Sequence, residues 1–63
     1  MPWTTQRYPV SMRHLPEFTR LKAIEIANAL LGEGMEEGRA IRIAIAKAKE
    51  WARRHPDPLA GAD

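Results

Sequence analysis

Arg39, Arg42, Lys49 and Arg53 are the residues of this chain best suited to a task beyond folding. Their steps of three, seven and four put them on one side of an α-helix, with Ala46 in line among them. Such a row can pair with phosphates along a nucleic-acid backbone or with carboxylates on an acidic protein surface. Lys47 and Arg54 flank the row, and Glu50 interrupts it. The plainer alternative is the solvated face of an amphipathic helix, whose C-terminal bases also complement the helix dipole. The row contains no aromatic for base stacking and matches no nucleic-acid-binding motif, which puts a protein partner ahead of nucleic acid.

Other chemistry is sparse. His14 precedes the first expected helix and His55 follows the second, so an antiparallel hairpin brings both toward Glu17. That trio lacks an activated nucleophile, a third firm ligand and a pocket. A chain of 63 residues has little bulk with which to enclose a cleft of roughly 300 Å³ or more. There is no cysteine, hence no disulfide and no thiolate site. No glycine-rich phosphate loop follows a strand, and no serine or cysteine triad is present. The chain reads as non-enzymatic, with no catalytic residue, no cofactor and no metal.

Two further residues stand out against the helical pattern. Ile43 points toward the polar side of the second helix, and Ala46 follows about one turn later. Together they mark either a contact with a second copy of the chain or the resting place of the N-terminal segment. Asn28 sits beside Leu21 and Ile24 at the margin of an apolar arc. Buried, it requires a partner such as a backbone group of the N-terminal segment; half-exposed, it requires none.

The elements that position these residues follow from periodicity and punctuation. Residues 1–15 form an irregular arm broken by Pro2 and Pro9 and bounded by Pro16. Trp3 and Tyr8 are large apolar groups in a stretch without helical period, so they are expected to fold back over the helices. Ser11 can open a short helical turn over Met12–His14. A helix is expected over residues 16–31, with proline at its first position and Glu17 in its first turn. Its apolar arc joins Leu21, Ile24, Ala27 and Leu31 with Ala23, Ile26 and Leu30, and is too broad for a single partner helix to cover. Gly32 or Gly34 ends it. A second helix is expected over residues 35–54, with Ile41, Ala44, Ile45, Ala48 and Ala52 on one face and Ala40 and Trp51 at its edge. The short connection makes the two helices antiparallel neighbours. The fold class is therefore all-α: one small domain over residues 1–55, with an arm packed on a two-helix hairpin and a disordered tail at 56–63.

Composition bounds the rest. A chain this short is thinly stabilised and has no disulfide to help. Net charge is +2, too small to identify a nucleic-acid binder. The charge is unevenly spread, however, with six bases against one acid between Arg39 and Arg54. The N-terminus has no apolar run of the secretory type, and no stretch approaches the roughly 18 apolar residues of a membrane span. A cytoplasmic protein without membrane insertion is expected, with an unidentified protein partner or a second copy of itself.

The segments MPW, YPVSM, LP, KAIEIANALL, EGRAI and AKEWA resemble the N-terminal part of YdaT-type small bacterial proteins, some of them labelled general stress proteins. The pattern spans roughly residues 1–55. A fainter similarity, of pattern more than identity, links the chain to the ChaB family of cation-transport regulators, which also begins with MP and an aromatic and has an alanine-rich second helix. Both resemblances imply a compact helical module with an ordered arm. Neither brings catalytic residues.

Overall fold

Residues 3–55 are described by the computed structural model, and the tail expected to be disordered, 56–63, lies outside them. In chain order come a 3-10 turn at Val10–Met12, helix α1 at Glu17–Gly32 and helix α2 at Glu37–Arg54. The two helices pack against each other as an all-helical hairpin, and no strand occurs among the described residues.

Each helix boundary has a local cause. Pro16 is the residue before α1 rather than its first member: its backbone is extended, with ψ at 148°, and its carbonyl accepts from the Arg20 N–H at 2.8 Å. At the far end Gly34 has φ +93°, a conformation that costs glycine little. Gly34 N–H donates to the Leu31 carbonyl and Met35 N–H to the Leu30 carbonyl, the paired bonds of a Schellman stop. Glu36 then caps α2, which starts at Glu37 rather than at residue 35. Its carboxylate accepts from the backbone N–H groups of Gly38 at 3.1 Å and Arg39 at 3.0 Å. Those two bonds, that of Arg39 foremost, hold its carboxyl below the usual range, with a smaller pull from the Arg42 and Arg39 side chains.

The helices meet on small side chains. Ala40, Ala44 and Ala48 recur every fourth residue on α2 and are fully buried, as are Ala23 and Ala27 on α1. Ala40, expected at the edge of the face, lies at its centre, while Ile41 and Ile45 are half-buried beside it. Helix axes approach most closely where side chains are smallest, so the alanine stripe faces α1 and the isoleucines flank it. Leu21, expected within the apolar arc of α1, is 42% exposed.

Among the described residues, five of the eight buried apolar ones are alanines, which remove little area from water. The larger buried side chains are Met12, Leu15 and Ile24, and two of these precede α1. The arm thus supplies much of the core. Trp3 and Tyr8 pack against it. The extra turn lies at Val10–Met12, set by Pro9: Met12 N–H donates to the Pro9 carbonyl and Arg13 N–H to the Val10 carbonyl. Ser11 sits inside this turn and does not cap it, because the break falls after the proline.

Candidate interaction surface

The outer face of α2 carries the basic row. Arg39, Arg42, Lys49 and Arg53 are all exposed, as is Ala46 among them. Fourteen residues of helix separate Arg39 from Arg53, a span of about 21 Å at 1.5 Å per residue. Among the described residues none of the four side chains pairs with a carboxylate. The ion pair within α2 is Arg54 with Glu50, at 3.1 Å. Arg53 and Arg54 suit the helix C-terminus. Arg39 and Arg42 lie in the first two turns, near the positive end of the dipole, where that field does not favour them.

Ile43 is half-buried on the flank of α2 that also carries Lys47 and Glu50. The hydrogen bonds that hold the arm lie elsewhere, on α1, and its apolar groups pack on the core shared by both helices. On α1 the Asn28 side chain accepts from the Trp3 N–H at 2.8 Å and donates to the Trp3 carbonyl at 2.9 Å. Arg20 donates to the carbonyls of Arg13 and Leu15, at 3.2 and 3.1 Å, and lies over the Tyr8 ring at 4.9 Å. No sequence pattern singles out Arg20, because its partners are backbone groups of a turn that only the folded arm creates.

The histidines do not form a centre. His14 is exposed, and His55 stacks on Trp51 with ring centroids 5.0 Å apart. Among the described residues no group of three or more His, Asp or Glu could hold a metal ion. No helix is long and apolar enough to cross a membrane among them.

An aromatic cluster that periodicity does not single out closes the end of the hairpin. Phe18 meets Trp51 at 4.8 Å between centroids, and the Lys22 ammonium lies 4.9 Å over the Trp51 ring. Its signal was available: an antiparallel hairpin sets the start of one helix beside the end of the other, and each carries one aromatic there.

No family model matches the chain, and no solved structure matches it. Among curated proteins, the uncharacterized protein YdaT of Bacillus subtilis (strain 168) is 60% identical over 52 residues, which is 82% of this chain. Those residues cover 35% of YdaT, so the chain spans about a third of the relative it matches. Over most of its length the chain is therefore similar to YdaT.

Proposed function

We propose that the protein is a small non-enzymatic interaction module that holds an acidic protein surface on the outer face of α2. One observation carries the reading. Arg39, Arg42, Lys49 and Arg53 form an exposed row without carboxylate partners among the described residues, and the helix dipole accounts for only part of it. Charges of this kind steer encounter and set register more than they add affinity. The reading places the protein in the cytoplasm. The stress-protein and transport-regulator labels of the YdaT-type and ChaB families accord with a regulatory module and name no partner.

A photo-crosslinking residue at position 46, used in the native host, tests this. The expected product is a cross-link to an acidic protein, lost when Arg42→Glu and Arg53→Glu are combined. Binding to duplex DNA with a log–log salt slope of about −0.9 per phosphate contact would replace the protein with a nucleic-acid backbone. A dimer that Ile43→Glu returns to monomer, with helicity retained, would move the reading to self-association.

A further inference from the structure

A two-helix hairpin has two flanks, and the arm occupies one. On α1 that flank is marked by Asn28 and Arg20, which hold Trp3, Tyr8 and the turn before the helix. The other flank is lined by Phe18, Lys22 and Ile26 on α1. On α2 it is lined by Lys47, Trp51 and Arg54, across the alanine stripe from Ile41 and Ile45. Two shallow hollows adjoin there. One, of about 190 Å³, lies between Phe18, Leu21, Lys22, Glu25 and Trp51. The other, of about 270 Å³, is bordered by Ile26, Lys47, Arg54 and His55 and shares Lys22 and Trp51 with the first.

Phe18, Leu21, Ile26 and Trp51 give the hollows their apolar lining, and the rim carries three bases, Lys22, Lys47 and Arg54, against two acids, Glu25 and Glu50. Leu21 borders the first hollow and is 42% exposed. The rim holds two ion pairs, Glu25 with Lys22 at 3.3 Å and Glu50 with Arg54 at 3.1 Å, which cancel two of its three bases. Lys47 is left over, and the outer row of α2 continues the positive charge beyond it. We propose that this flank docks an amphipathic helix of a protein partner, with two apolar side chains in the hollows and an acidic residue against Lys47. The inference rests on the preceding reading for the sign of the partner's charge and adds its shape and its apolar anchors. A valley between two antiparallel helices accepts a third helix, whose anchors recur at three- and four-residue steps. The Lys22 side chain divides the hollows and can swing aside, because its ion pair with Glu25 is largely exposed. Trp51 is already engaged by Phe18, His55 and Lys22, which disfavours it as a stacking platform for nucleic-acid bases.

The probe is a synthetic helical peptide of about five turns, with leucine at anchor spacing and glutamate flanking it. Two controls replace every glutamate by lysine or every leucine by serine. Titration of the full chain is followed by amide and indole NMR. Saturable binding is expected, with shifts at Leu21, Ile26 and the Trp51 indole and none at Trp3 or Asn28. Each control is expected to bind at least about tenfold more weakly. The double variant Leu21→Ser, Lys47→Glu is expected to lose about tenfold in affinity with helicity and melting temperature kept, since both side chains are exposed. Absence of binding at about 1 mM peptide, or equal binding by the lysine control, overturns the proposal. So does a dimer of the chain that Leu21→Ser dissociates. Loss of binding in Arg42→Glu, Arg53→Glu but not in Leu21→Ser, Lys47→Glu defeats the valley and leaves the outer row standing. The reverse pattern upholds the valley and removes the row.

Discussion

The side chain of Asn28 and the backbone of Trp3 close a ring of two hydrogen bonds, with Oδ1 accepting at 2.8 Å and Nδ2 donating at 2.9 Å. One amide thus satisfies both main-chain groups of a residue 25 positions away in sequence. The pairing resembles one rung of a β-ladder, made by a side chain projecting from a helix. It fixes where the arm enters, and Trp3 packs on the core from there.

Asn28→Ala is expected to destabilise the fold by about 1–2 kcal/mol, because it leaves two half-buried backbone groups without partners. For a domain of this size that corresponds to roughly 4–8 °C in melting temperature per kcal/mol. Asn28→Asp should not rescue it, since a carboxylate has no proton to donate to the Trp3 carbonyl. Thermal unfolding and exchange of the Trp3 amide proton check this. An unchanged melting temperature together with unchanged exchange would show that packing alone holds the arm.

Ala44 and Ala46 differ by two positions and by everything that matters for packing. Ala44 is fully buried in the stripe between the helices, and Ala46 is exposed. Ala44→Leu is expected to cost about 1–3 kcal/mol by forcing α1 and α2 apart. Ala46→Leu should stay within about 0.5 kcal/mol of the parent. Urea denaturation of the two variants decides it, and equal midpoints would mean that the stripe is not the close contact.

Glu36 makes the stability depend on acid in a predictable direction. Its folded carboxyl titrates below the ordinary value near 4.5, chiefly through the backbone N–H groups of Arg39 and Gly38. The contribution of the cap is therefore complete above that value and is lost as the pH falls through the folded one. Glu36→Gln keeps an acceptor but no charge, so it should be less stable at neutral pH and lose less as the pH falls from neutral to below that value. Denaturant midpoints measured across that range test it. Parallel acid limbs for parent and variant would assign the loss to another carboxyl.

Much of the architecture was legible because it is local. Proline at residue 16, glycine at residue 34 and the three-and-four spacing of apolar residues each act within one or two turns, so both helices, their order and the hairpin follow from short-range rules. The breadth of the apolar arc on α1 also implied a third element, and the arm with Trp3 and Tyr8 fills that role. Small displacements came from competition at the boundaries. Pro9 rather than Ser11 sets the extra turn, and Glu36 serves as a cap where a helical residue was expected.

The exposed row Arg39, Arg42, Lys49 and Arg53 is likewise a property of the sequence, since a helix of known phase leaves only one face for it. Which flank the arm covers is not. That depends on Asn28 meeting Trp3 and on Arg20 reaching the carbonyls of Arg13 and Leu15, contacts between segments whose relative position no local pattern encodes. By taking one flank the arm leaves the other open, and so the valley at Leu21, Lys22 and Trp51 is a product of tertiary packing. Periodicity sets which residues share a face of one helix; only the approach of two helices and an arm decides which of those faces remain uncovered.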